Sequence, residues 1–134
     1  LDVLSEKINA AGVTNMHPIK LDLETDPLPN KRYQLTYSLM TLHHIHDAKN
    51  IIHKFYALLE PNGYLLVADL DKEDGSFHTD GTTDVHKGFE RSELQKWAED
   101  AGFGNVAFST AFEIRKNIDG NEKAFPVFLM SAKK

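Results

Sequence analysis

The stretch that most limits what this chain can fold into runs from Tyr33 to Leu70, YQLTYSLMTLHHIHDAKNIIHKFYALLEPNGYLLVADL. Tyr33, Leu35, Tyr37 and Leu39 alternate with polar residues, the two-residue period of a strand. Ile51, Ile52, Phe55, Leu58 and Leu59 then recur at helical spacing, with Asp47 placed to cap the helix and Pro61-Asn62-Gly63 placed to stop it. Tyr64 to Leu70 is a continuous apolar run, the pattern of a strand covered on both faces. Together these make one βαβ unit. Such units place their ligands at the carboxyl ends of the strands. Thr41, His43, His44 and His46 follow the first strand, and Asp69 and Asp71 close the second.

The rest of the chain extends the same architecture. Leu1, Leu4, Ile8 and Ala11 form an apolar helical stripe ended by Gly12. No capping residue precedes it, which fits either a processed or trimmed end or the removal of an upstream segment, and the second is the expectation. Met16 to Asp22 has the pattern of a short strand. The segment from Leu23 to Arg32, with Pro27 and Pro29, is too short for a crossover helix. Asp71 to Gly88 lacks apolar periodicity and reads as a long exposed loop, with His78 and His86 flanking its middle. Ser92 and Gln95 have the spacing of a capping box for a helix carrying Leu94, Trp97, Ala98 and Ala101, closed by Gly102 and Gly104. Val106 to Ile114 and Phe125 to Met130 form a terminal hairpin. Pro126 is expected near that strand's start or at a bulge. The element order is α-β-β-α-β-α-β-β in a single α/β domain over residues 1–134.

Composition excludes several classes. The net charge of −5 speaks against a nucleic-acid-binding face. No apolar run approaches the roughly 20 residues that cross a bilayer. The absence of cysteine rules out disulfides and thiolate metal sites and fits a cytoplasmic location.

The segments DLETDPLP (22–29), YSLMTLHHI (37–45), LLEPNGYLLVADL (58–70) and GFGNVAF (102–108), taken in order, resemble the class I S-adenosylmethionine-dependent methyltransferases, with the nearest look to the quinone-biosynthesis group. DLDKEDGSFH (69–78) with VHKGFER (85–91) further resembles a subgroup of unassigned substrate. The resemblance implies a Rossmann-like, largely parallel sheet in the order 3-2-1-4-5-7-6, ending in an antiparallel hairpin. The strands read here match 3, 4, 5, 6 and 7. Family strands 1 and 2, with the glycine-rich loop that cradles the cofactor, are not among them. The chain is therefore expected to be the C-terminal portion of such a domain, with about 60 residues needed for the two absent βα units. Their absence would leave a gap of about 14 Å between strands 3 and 4. Strand 4 would then present a bare apolar edge. Three outcomes are open: the absent part exists elsewhere, a second copy pairs through the edge or by swapping, or Met16–Asp22 relocates.

The resemblance also implies roles. Asp22 would accept from the adenine amino group of S-adenosylmethionine, and the Leu23 N–H would meet the ring, although a turn-forming Asp is the plain alternative. The backbone of Ser38 and Leu39 would line the methionine end. Three histidines within four positions are not a recognisable zinc arrangement, so no metal is expected. His44 is a candidate general base, Asp69 is expected to face the cleft, and His86 and His78 either close over the acceptor or lie on the surface. Asp71, Glu73 and Asp74 read as a solvated charge run, and Trp97, Phe103 and Phe108 as core. The expected function is methyl transfer to a small-molecule acceptor by the parent protein, with no nucleic-acid or membrane partner. The alternative is a non-catalytic α/β module acting by self-association or partner binding. A histidine-based metal hydrolase is a third, weaker option.

Overall fold

A computed structural model describes residues 1–78 and 86–134. Gly81 and the middle of the Asp71–Gly88 loop lie outside the described residues. Among the described residues, three α-helices, α1 (Asp2–Ala10), α2 (Ala48–Leu58) and α3 (Arg91–Ala101), accompany four strands, β1 (Tyr33–Leu39), β2 (Leu59–Leu70), β3 (Gly104–Ile118) and β4 (Asn121–Lys133). The sheet order is β1-β2-β4-β3. β1 and β2 are parallel, with Leu39 opposite Ala68, and β4 runs antiparallel to both of its neighbours. This is the 4-5-7-6 half of the order that the resemblance implies.

Local chemistry explains the elements. The Asp47 carboxylate accepts the Asn50 N–H and caps α2, as its position predicts. At the other end of α2, the Lys134 ammonium donates to the Tyr56 and Leu59 carbonyls, satisfying acceptors that a helix terminus leaves open. The β3–β4 hairpin turns on Asp119 and Gly120, both at positive φ, as a two-residue turn between right-twisted strands requires. Pro126 lies opposite Glu113, two pairs from the irregularity between Thr110 and Phe112. Its carbonyl accepts from Asp71 N–H, so its backbone polar groups face β2 just past the last ladder pair, Leu70–Val127. A missing N–H there removes no ladder bond.

The main core lies between one sheet face and helices α2 and α3. Leu65, Val67, Phe128 and Met130 meet Ile51, Ile52, Phe55, Leu94 and Ala98 there, with Phe103 buried and Trp97 and Phe108 half-buried against them. On the opposite face, Phe77 folds back from the loop onto Leu70, Phe125 and Val127.

Four expectations need correction. Pro61-Asn62-Gly63 is not a turn between helix and strand: α2 ends at Leu58, and these residues lie inside β2, where the pairing with β1 shifts register between Tyr33 and Leu35. Met16–Asp22 is not a strand. The family order separates strand 3 from strand 4 by two others, so this segment has no neighbour to pair with. Met16, Ile19 and Leu21 stay exposed, and Ile19 and Leu21 line a shallow depression beside β1. Ser92 is not a cap: α3 begins at Arg91 with Glu90 as N-cap and no side-chain capping bond. Arg91 is drawn into the helix by a two-pronged pair with Asp71, through Nε and a terminal nitrogen at 2.8 Å each. Finally, the βαβ strands are covered on one face only along much of their length. Leu35, Tyr37 and Leu39 are 49%, 73% and 58% exposed, and Tyr64 is exposed beside them. β1 pairs with β2 alone, so its other edge is open among the described residues.

Candidate active site

The carboxyl ends of the two parallel strands converge on one polar cluster. β1 gives way at Met40, which takes a positive φ of 51° while its N–H still bonds the Ala68 carbonyl. The chain then turns through a 3-10 segment, Leu42–His44. That turn sets His43 above Asp69. His43 Nδ1 lies 2.6 Å from Asp69 Oδ1, and the His43 backbone N–H donates to Oδ2 at 3.1 Å. Leu70 N–H donates to Oδ1 at 2.7 Å. A carboxylate already receiving two backbone donors acts as an acceptor toward the ring, so Nδ1 carries the proton and Nε2 is left with its lone pair. His43 is 2% exposed and Asp69 0%.

Asp69 therefore does not face the cleft. It lies on the same face of β2 as Leu65 and Val67, which pack under the helices, and it reaches the cluster only through His43.

His44 is exposed, its ring 4.1 Å from that of His43. His78 comes from the loop and completes the group, its ring 5.1 Å from His43 and 5.3 Å from His44. His86 stands apart. Its Nε2 lies 2.9 Å from the Ile45 carbonyl and 3.2 Å from that of His46, and its backbone N–H donates to the His43 carbonyl at 2.8 Å. It fastens the histidine turn from outside.

The acidic loop is stapled by its own hydrogen bonds, with Asp71 and Glu73 partly covered and Asp74 exposed as expected. Asp71 holds Arg91, and Glu73 accepts the Gly75 and Phe77 N–H groups. Asp74 accepts from Ser76 and from the Lys123 ammonium, and the Lys123 bond is the main reason its carboxyl is held well below the usual carboxylate range. Lys116 donates to the Phe77 carbonyl while lying over its ring. These bonds bring His78 back to the sheet. Residues 87–89 close the loop base, with Phe89 N–H to the Leu70 carbonyl and Lys72 and Glu73 N–H to Phe89 and Lys87 carbonyls.

The residues expected to meet the cofactor lie in two adjoining places. Asp22 is exposed, and its Oδ1 accepts the Glu24 N–H in a turn that also carries Asp26. Lys54 on α2 grips the Leu23 and Glu24 carbonyls. Leu23 lines one depression with Tyr33, Leu35 and Tyr37. Ser38 and Leu39 line another with Leu35, Tyr37, Leu66, Ala68 and Leu129. The two depressions share Leu35 and Tyr37 but are not one pocket.

Sequence reasoning singled out His44 and missed that His43 is the imidazole held by Asp69. The available signal was positional: both residues follow the carboxyl ends of adjacent parallel strands, where side chains 26 residues apart meet.

A sheet in which only β4 runs against the other strands, with α2 and α3 on one face, a terminal antiparallel hairpin and a polar cluster at the strand ends, is the α/β arrangement of class I methyltransferases. Residues 1–108 match the family described as a methyltransferase domain, and the chain belongs to it. It is 31% identical over 85 residues to an uncharacterized methyltransferase of Schizosaccharomyces pombe, an alignment covering 58% of this chain and 30% of that protein. The chain thus spans less than a third of the curated relative it matches. Among solved structures it resembles a candidate methyltransferase of Bacillus halodurans, with a TM-score of 0.77 at 16% identity, over 99% of this chain and 78% of the other. It also resembles a SAM-dependent methyltransferase of Aquifex aeolicus, with a TM-score of 0.66 at 20% identity, over 98% and 62%. At these identities the structural likeness is one of fold. No helix among the described residues is long and apolar enough to cross a membrane.

Proposed function

We propose that this chain supplies the acceptor side and the adenine contact of a methyltransferase that uses S-adenosylmethionine on a small molecule. The observation that carries the reading is the buried Asp69–His43 pair at the carboxyl ends of adjacent parallel strands, where this architecture gathers its ligands.

The residues present fit part of the cofactor. The Asp22 turn offers a carboxylate acceptor next to backbone donors, which suits the amino edge of adenine. The depression at Ser38 and Leu39 is lined by uncharged side chains, so it offers no charged partner for a methionine carboxylate or ammonium. A glycine-rich loop and two further strands, packed on the bare edge and face of β1, would supply those contacts. The cofactor brings a methyl group already activated on a sulfonium. What remains for this chain is to align an acceptor against it and exclude water. In this reading the wall formed by His43, His44 and His78 meets the acceptor. Asp69 fixes the His43 ring, and His86 holds the turn. An oxygen or carbon acceptor would lose its proton to that wall.

Calorimetry with S-adenosylhomocysteine tests the division of the pocket. The 134-residue chain alone should show no tight binding, while a natural form extended through a glycine-rich strand-turn-helix should bind one equivalent and transfer methyl. Tight 1:1 binding by the isolated monomer would overturn the shared-pocket reading. An extended form that binds no cofactor would favour the rival reading of a non-catalytic association module, which the bare apolar face of β1 and β2 supports.

A further inference from the structure

We infer that His43, His44 and His78 form a three-imidazole site for a divalent transition metal, with zinc the metal it suits best. One ring nitrogen from each of the three lies within 4.8 Å of the others. Zinc–imidazole bonds of about 2.0–2.1 Å need ligand nitrogens somewhat closer than that limit, a contraction within reach of small side-chain rotations. The donor set is neutral and nitrogen-only, which favours zinc or its first-row neighbours over magnesium or calcium.

Two observations beyond proximity point to a ligand. The first is the Nε2 of His43. It is buried and has no hydrogen-bond partner among the described residues. An imidazole nitrogen in that state loses its hydration with nothing in return, and a cation is the partner that a lone pair there accepts. The second is Asp69. By accepting the hydrogen bond from the Nδ1–H, with the two heavy atoms 2.6 Å apart, it fixes the tautomer that leaves Nε2 unprotonated. This is the carboxylate–histidine arrangement that orients metal-bound imidazoles and raises their basicity. Asp69 is itself held by two backbone N–H groups, so the outer partner is built rather than incidental.

The third ligand arrives by a dedicated route. Phe77 is buried against Phe125, and Lys116 ties its carbonyl, so the residue before His78 is anchored to the sheet. His44 is exposed, so the cluster lies at the surface, where water is at hand to complete a four-coordinate site. Three protein ligands with one open position is the pattern of a site that takes an exchangeable molecule. Metal binding stands independently of the methyl-transfer reading. If both hold, the metal occupies the imidazole lone pairs, so the acceptor's thiol or hydroxyl would take the open position and release its proton to solvent rather than to the histidines.

The test is zinc binding by the purified protein, stripped with chelator and followed by calorimetry, by metal content after dialysis, and by the visible spectrum of the cobalt-substituted form. We expect one equivalent per chain and a tetrahedral cobalt spectrum. His44→Ala and His78→Ala should each weaken binding at least 100-fold. Asp69→Asn should weaken it about 10- to 100-fold without changing the stoichiometry. His53→Ala, on an exposed face of α2, should change nothing. His44 is exposed, so its variant folds and keeps the test decisive even if changes at His43 or Asp69 unfold the protein. No stoichiometric zinc, or binding unaltered by both His44→Ala and His78→Ala, overturns the site. Cofactor binding by the extended form is read separately, so either reading can fail without the other.

Discussion

At the scale of single residues, the strongest constraints are places where no other side chain or charge state fits. Gly88 has a φ of 70°, and a Cβ there would lie 2.1 Å from the Asp71 carbonyl oxygen. Because the obstacle is backbone at the loop base, it cannot step aside. Gly88→Ala should cost about 3 kcal/mol or more in urea unfolding. Gly12→Ala, at a similar φ but with open space around it, should cost only about 1–2 kcal/mol. Equal costs would mean that the loop base is not closed as described. Asp74 gives a pH prediction. Its folded-state pKa is lowered, first by the hydrogen bond from Lys123. A depressed carboxyl contributes stability that is present above its unfolded value near 3.8 and is lost as pH falls through the lower folded value. Asp74→Asn should therefore flatten the acid-side fall in melting temperature below about pH 4 while leaving the neutral-pH slope alone. The effect should be small, because the group is exposed and solvent screens it.

The elements were legible in proportion to how locally they are encoded. α2 announces itself by its apolar spacing and its Asp47 cap, and the β3–β4 hairpin by the alternation from Val106 to Ile114 and the apolar run from Phe125 to Met130. Both depend on residues adjacent in sequence. α3 shows the limit. Its body was readable from Leu94, Trp97 and Ala98, but its start was not, because Arg91 is fixed by Asp71, 20 residues earlier. The same pair ties the helix to the acidic loop, and Arg91 adds a bond to Thr110 on β3. Arg91→Ala should lower stability by about 1 kcal/mol. Arg91→Lys should lose much of that too, since an ammonium cannot make the parallel two-pronged contact. A thermal melt of the lysine variant indistinguishable from the parent would show that the fork is not what matters. Met16–Asp22 failed for the converse reason: a strand pattern is only half a strand until a neighbour offers hydrogen bonds.

For the whole molecule, the governing fact is a sheet with one face packed and the other partly bare. Leu35, Tyr37 and Leu39 on β1 and Tyr64 on β2 form an apolar surface beside an open strand edge. Such edges tend to recruit a partner strand. The 134-residue chain made alone should self-associate with rising concentration in analytical ultracentrifugation. Tyr37→Lys, at the most exposed of these positions, should shift it toward monomer without lowering the melting temperature by more than a few degrees. A parent chain that stays monomeric up to high concentration would show that this face needs no cover. If the chain is joined to two further strands, the same surface becomes the seam of a continuous sheet. The self-association should then disappear, linking this prediction to the cofactor-binding comparison.

The sequence by itself determined the class of fold, the βαβ unit, the terminal hairpin and the neighbourhood of the site. Each is written in a short-range pattern: a period of two or 3.6, a cap, a turn pair, or polar residues just past a strand's end. Only the tertiary structure decided which histidine Asp69 holds, that His78 returns to join His43 and His44, and that the apolar alternation of β1 faces outward. Those depend on strand register and on loop bonds spanning 26 to 49 residues, such as His43–Asp69 and Lys123–Asp74. A period says that two faces differ. What comes to lie against each face is decided by the rest of the chain.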